Sequence, residues 1–190
     1  MPLNERVPVN EHPGDELHAQ RVSTNGGTHK FRSTVSEKDI LAVRQICEST
    51  GFFYPEEVDT AVELVEDRLL KGPRCGYHFL FAEDNGRTVG YTSFGPIACT
   101  RESYDLYWIV VASDYRGKGL GTRLLEASEE AIATYGGSRV YIETSARPDY
   151  LPTRAFYLAR GYAQVAELED FYAPGDAKAM YLKVLTGARR

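Results

Sequence analysis

The sequence predicts one α/β (α+β) domain. It has a mixed central sheet of about six to seven strands flanked by about four helices, in the order β-α-α-β-β-β-α-β-α-β-β. Three observations lead there. Two consecutive segments between residues 36 and 71 repeat apolar residues at helical spacing. Asn85-Gly86 then separates two strand-like runs, a tight-hairpin signal because both turn residues tolerate positive φ. A hairpin there makes the sheet mixed rather than purely parallel and doubly wound. Further on, a near-apolar run ends in a glycine-rich loop that opens directly into a third helical pattern.

Taken in order, residues 1–29 hold Pro2, Pro8, Pro13, Gly14, Gly26 and Gly27 among polar residues with no sustained period. They are expected to form a flexible N-terminal extension, with the folded domain at residues 30–190. A short strand is expected at 31–35. Ser36 followed by Asp39 fits a helix-start pattern in which side chains satisfy the first free N–H groups. Ile40, Val43, Ile46 and Cys47 form one face of the first helix, and Gly51 suits its C-terminal cap. Pro55 opens the second helix, whose face is Val58, Ala61, Val62, Val65 and Leu69, and Gly72-Pro73 ends it. Strands follow at 77–82 and 88–94. Residues 104–111 form a third strand, nearly apolar after Asp105 and therefore expected to be buried on both faces. The next helix presents Leu120, Leu124, Leu125, Ala127, Ala131, Ile132 and Tyr135, then closes at Gly136-Gly137. A strand at 139–144, a short helix at 152–160 and strands at 162–167 and 179–185 complete the pattern. Residues 170–176 are the loop between the last two strands.

With 22 basic against 27 acidic side chains, the formal net charge is −5. Nucleic-acid binding leaves a basic footprint and is not expected. Cys47, Cys75 and Cys99 have neither metal-ligand nor redox-motif spacing, and the four histidines are scattered, so no metal is expected. No run reaches transmembrane length and residues 1–10 form no apolar signal core. The expectation is a soluble, cytoplasmic protein with no membrane partner and reduced thiols.

The chemistry concentrates in Arg116-Gly117-Lys118-Gly119-Leu120-Gly121. A strand feeding such a loop and then a helix is a phosphate-binding device. Free N–H groups at the helix start point into the loop, and the helix dipole favours negative charge there. Gly117, Gly119 and Gly121 let a ligand approach the backbone, while Arg116, Lys118 and Arg123 add positive charge that suits a pyrophosphate. Lys118 is not followed by a hydroxyl residue, which excludes a P-loop, and the glycine spacing is not that of a dinucleotide-binding turn.

The loop instead matches R/Q-x-x-G-x-G/A through Arg116, Gly119 and Gly121. Together with Ile109-Val110-Val111-Ala112-Ser113 before it, the stretch resembles the acetyl-coenzyme A signature of the GNAT superfamily of acyl-CoA N-acyltransferases. Ser113 stands where many members have proline. Thr153-Arg154-Ala155-Phe156-Tyr157 leading to Gly161-Tyr162 resembles the family's second motif, and the element order fits from Phe31 to Leu185.

The resemblance implies an N-acetyltransferase moving an acetyl group from acetyl-CoA to an amine by direct attack. It implies that the fourth and fifth strands splay apart. Ile109, Val110 and Val111 would then hold the pantetheine arm, with the Val111 N–H polarising the thioester carbonyl. Arg116, Gly117, Lys118, Gly119, Leu120 and Gly121 would hold the pyrophosphate. Tyr157 takes the general-acid position, and Glu143 stands where several relatives carry a general base, with Asp105 as a second candidate. Many relatives place an asparagine where this chain has Tyr150, so Thr153 or Arg154 is expected to take over that contact with the coenzyme. The acceptor pocket would draw on residues 51–57 and 170–176, with Phe52, Phe53, Tyr54, Phe171 and Tyr172 as aromatic walls and Asp170 and Asp176 open to a cationic amine. A homodimer is common among relatives. The alternatives are a non-catalytic acetyl-CoA-binding module and an interaction protein on the same fold.

Overall fold

A computed structural model of the chain describes residues 29–185, so the extension expected at 1–29 lies outside the described residues but for His29. The elements are β1 (Lys30–Arg32), α1 (Lys38–Ser49), α2 (Pro55–Lys71), β2 (His78–Asp84), β3 (Arg87–Pro96) and β4 (Ser103–Val111). They continue with α3 (Leu120–Thr134), β5 (Arg139–Ser145), α4 (Leu151–Leu158), β6 (Ala163–Ala173) and β7 (Asp176–Val184). The order is the predicted one. The strands form one seven-stranded sheet, β1-β2-β3-β4-β5-β7-β6, in which only the β4–β5 pairing is parallel.

Each sheet face buries one helix pair. Val43, Ile46, Val58, Val62 and Val65 of α1 and α2 pack on Phe79, Phe81, Tyr91 and Val110. Leu125, Ile132 and Tyr157 of α3 and α4 pack on Leu80, Phe94, Leu106, Val140 and Ile142 across the other face. The predicted face of α3 is buried as read except for Tyr135, which only partly covers the core. Asn85 and Gly86 make the β2–β3 turn at φ 49° and 81°, as the hairpin signal required.

Local expectations needed correction. Asp39, fully buried, takes the Ser36 N–H and hydroxyl at 2.8 Å each and the Arg32 guanidinium at 2.7 and 2.9 Å. The Ser36 N–H bond is the reciprocal half of the expected entry pattern; the same carboxylate also anchors an ion pair with Arg32, and the helix begins at Lys38 with no side-chain bond from Glu37. The loop expected at 170–176 is mostly the end of a longer hairpin, in which β6 runs to Ala173 through register shifts and Asp170 adopts φ 52°.

The correction that matters for function concerns β4. It pairs with β5 only at Ser103↔Arg139, Tyr104↔Val140 and Asp105↔Tyr141. On its other side Ser93 faces Trp108 and Phe94 faces Leu106, which leaves Tyr107 as an extra residue. Such a bulge bends its strand and increases the local twist. Here it turns β4 away from β5 and opens a fork in the sheet. The strand is therefore not buried on both faces: Tyr107 is 39% exposed. Across the fork, α3 is tied to the distal half by side chains. Arg160 donates to Thr122 Oγ1 at 3.0 and 2.5 Å, and Glu129 accepts from Tyr162 at 2.9 Å and Lys183 at 2.6 Å.

Candidate active site

The open edge of β4 follows from its register. Ala112 N–H donates to Val89 O at 3.0 Å, which fixes the alternation, so that Tyr91 and Val110 are the next hydrogen-bonded pair. Backbone direction alternates along a strand, so the N–H and C=O groups of Ile109 and Val111 point the other way, into the fork. Val110, expected to share the pantetheine contact, spends its backbone groups on β3 and its side chain, 3% exposed, on the core.

Beyond β4, Tyr115 donates to Asp84 at 2.6 Å and Arg87 pairs with Asp114 at 2.9 Å, fastening the loop to the β2–β3 hairpin. Gly117 and Gly119 hold φ 73° and 79°, a region that only glycine adopts without strain. Gly119 caps α3, and the first intrahelical bond runs from Arg123 N–H to Gly119 O at 3.2 Å. The N–H groups of Leu120, Gly121 and Thr122 thus have no intrahelical acceptor and face the loop. Lys118 donates to Asp114 O at 2.8 Å, and the Arg116 guanidinium lies 5.8 Å from the centre of the Phe52 ring. The result is one continuous, backbone-lined track from the fork to a helix N-terminus.

α4 covers that track on the α3 side. A Cβ added at Gly121 would touch Phe156 at 3.6 Å and Val111 at 3.8 Å, which places Phe156 against both the loop and the β4 edge. Tyr157 is 4% exposed, packed among Phe156, Tyr162 and Tyr181. Burial raises its phenol pKa well above the ordinary value, followed by the nearby Tyr181. Arg154 is committed to Tyr181 Oη at 3.0 Å and Ala146 O at 3.2 Å.

On the α1–α2 side, Asp105 is the last β4 residue paired with β5 and so sits at the base of the fork. Burial, reinforced by the neighbouring Glu143 carboxylate and opposed by Lys178, lifts its pKa to about 6. Glu143 accepts from Lys178 Nζ at 2.8 Å, and that ammonium lies 3.8 Å over the Phe171 ring. Tyr107 meets Tyr77 and Trp108 meets Phe53, both edge to face. Burial and then Asp105 push the Tyr107 phenol to about 12. Asp176 is engaged by neighbouring side chains, whereas Asp170 stays exposed on the β6–β7 hairpin. Asp170 accepts from Gly175 N–H at 2.6 Å, while Asp176 accepts from Ser145 Oγ at 2.5 Å and pairs with Arg147 at 3.2 Å.

Sequence reasoning missed Tyr107, Trp108, Arg147 and Lys178. Tyr107 and Trp108 face the site only because of the bulge, which left no sequence signal. Lys178 falls between the loop expected at 170–176 and the strand expected at 179–185, because β7 starts at Asp176, ahead of its apolar run. Arg147 lies in the connection between β5 and α4, which carries no periodic signal.

A mixed sheet forked between its parallel strands, with a free strand edge running into a glycine-rich helix start, defines a coenzyme A-dependent acyltransferase scaffold. The chain matches the Acetyltransferase (GNAT) family over residues 43–162 and belongs to that family. A GNAT-family acetyltransferase structure from Desulfovibrio desulfuricans superimposes with a TM-score of 0.80 at 44% identity, covering 81% of this chain and 97% of that one. An aminoglycoside 6′-N-acetyltransferase complexed with coenzyme A shares the fold, with a TM-score of 0.65, 21% identity and coverage of 81% and 96%. The N-acetyltransferase YuaI of Bacillus subtilis is 31% identical over 104 residues, 54% of this chain and 56% of that protein. An N-alpha-acetyltransferase of Sulfurisphaera tokodaii is 30% identical over 108 residues, 52% and 64%. The chain thus spans between about half and two thirds of the curated relatives' length. Among the described residues no helix is long and apolar enough to cross a membrane, and no cluster of metal-ligating side chains occurs.

Proposed function

We propose that this chain transfers the acetyl group of acetyl-CoA to an amine by direct attack. One observation carries the reading: the Ile109 and Val111 backbone groups open into the fork on the same track that ends at Gly117–Gly121. The pantetheine arm lies along that edge as an added strand, and the pyrophosphate sits at the helix start. The Val111 N–H donates to the thioester oxygen as charge develops on it.

The acceptor enters from the α1–α2 face. Its neutral nitrogen attacks the thioester carbonyl carbon, the C–S bond breaks, and the products are the acetamide and coenzyme A. The nitrogen's surplus proton passes to a carboxylate. Asp105 is favoured over Glu143, because Glu143 is held by Lys178 whereas Asp105 lies at the fork with a proton affinity suited to neutral pH. Glu143 then acts by sustaining that affinity. Tyr157, protonated through neutral pH by its burial, donates to the departing thiolate, and solvent restores both groups.

The same reading places the protein in the cytoplasm, where cysteines such as Cys47, Cys75 and Cys99 stay reduced. It pairs two copies along β6, an edge strand exposed over almost its whole length, with Val165 and Leu168 50% and 43% exposed.

The test is thiol release from acetyl-CoA over a broad amine panel, with product mass, beside thermal unfolding with and without acetyl-CoA. Thiol release in step with an acetylated amine supports the reading. Stabilisation without release from any amine leaves a binding module, and no stabilisation removes the coenzyme site, since a ligand of the folded state must stabilise it. Sedimentation of the full chain decides the dimer.

A further inference from the structure

The acceptor face of the fork is enclosed by a closed circuit of side-chain contacts in which Arg147 is the common member. Its Nη1 donates to Tyr54 Oη on the α1–α2 loop at 3.2 Å. Its Nε lies 3.2 Å from Asp176 Oδ2 at the β6–β7 tip and 3.3 Å from Ser145 Oγ at the end of β5. The guanidinium also lies 5.5 Å from the centre of the Tyr150 ring, which meets Phe52 edge to face at 5.1 Å. The α1–α2 loop precedes the fork in the chain, whereas Tyr150 and the hairpin tip follow it. Phe53 against Trp108 at 5.2 Å returns the circuit to β4, and Lys178 with Glu143 joins the tip to β5. Tyr172, at the tip, is pushed to about 12 by burial and then by Glu143, Asp176, Tyr150 and Glu57, so the tip reaches towards the start of α2.

Granting the acetyl transfer proposed above, we infer that the acceptor is a small primary amine entering this ring end-on, and that Arg147 is the positioning residue that keeps polypeptide acceptors out. A peptide held in extended form needs an open groove along which its backbone can pair. The contacts of Arg147 bridge the two sides of any such groove here. What the ring offers instead is aromatic surface and negative charge. Tyr54, Phe171 and Tyr172 are 59%, 51% and 49% exposed at its rim, and Asp105 and Glu143 lie within. Aromatic faces and carboxylates together attract a compact ammonium group. Arg147 already pairs with the Asp176 carboxylate through Nε, while its Nη1 donates to Tyr54.

Trp108, the single tryptophan of the sequence, meets Phe53 edge to face in this circuit and reports occupancy by its emission. The full chain is saturated with coenzyme A, whose free thiol cannot acylate, and titrated with 2-phenylethylamine, 1,4-diaminobutane and hexapeptides with free N-termini. Both small amines should change the emission saturably, with peptides bound at least about tenfold more weakly. Arg147→Ala should narrow that ratio to about threefold or less, and Tyr54→Phe, which removes one hydroxyl from an exposed ring, should narrow it in the same direction. Peptides binding as tightly as the small amines overturn the inference, as does a ratio unmoved by both variants or the absence of any response to either small amine. Selective binding of small amines without thiol release from acetyl-CoA would overturn acetyl transfer and with it the acceptor role, while the selectivity of the ring through Arg147 would stand.

Discussion

The donor and acceptor sides of the fork are built in opposite ways. The donor track is one uninterrupted stretch, residues 109–121, and its surface is backbone: the free β4 edge, two positive-φ glycines and a helix start. The acceptor ring draws side chains from the α1–α2 loop, β4, β5, the turn after it and the β6–β7 tip. Backbone recognition tolerates most side-chain change and depends on a few conformations. Side-chain recognition is re-specified by single substitutions. One fold can thus keep its coenzyme while its acceptor varies.

Single substitutions test the two sides separately. The largest effect is expected from Asp105→Asn, which should lower kcat by about 10²- to 10⁴-fold, the usual worth of a general base, with acetyl-CoA binding nearly unchanged. Next comes the donor side. Gly119→Val forces a branched side chain to φ 79°, at a cost of about 1–3 kcal/mol, so acetyl-CoA affinity measured by calorimetry should fall by about 10- to 100-fold. Tyr157→Phe should lower kcat by about tenfold and leave acetyl-CoA affinity intact. Unchanged turnover would remove the acid role.

A subtler effect concerns pH. The Asp105 carboxyl accepts a proton only when ionised, so kcat/KM should rise with pH through about 6 and then level. Glu143→Gln removes a neighbouring negative charge, which lowers the Asp105 pKa and moves that limb to lower pH. Lys178→Met removes the opposing cation and moves it higher. A limb that ignores both substitutions would detach the base from this cluster. The smallest effect is expected at Gly121→Ala. Its Cβ meets only ordinary contacts at 3.6–3.8 Å in the first turn of α3, so acetyl-CoA affinity should stay within about twofold.

The same contrast explains what could be read from the sequence. The α3 face, the Asn85-Gly86 hairpin and the strand-loop-helix of 109–121 depend on neighbours in the chain, and their periodicity or turn chemistry was legible. Asp105 was visible as an acidic residue on an apolar strand, yet its rank over Glu143 depends on Lys178, which lies 73 positions away in sequence. Of the expected aromatic residues, Phe52 meets Tyr150, Phe53 meets Trp108 and Phe171 meets Lys178. Asp176, however, looked available only because Ser145 and Arg147 were out of view. The bulge at Tyr107 has no glycine or proline to announce it, and it is what turns a buried strand into an open edge.

Arg116 belongs to both sides, since it extends from the pyrophosphate loop and rests over Phe52 of the acceptor ring. Any donor that draws that guanidinium onto its phosphates takes it from Phe52, and the two occupancies become a single thermodynamic cycle. Whatever factor acetyl-CoA imposes on acceptor affinity, the acceptor must return on acetyl-CoA.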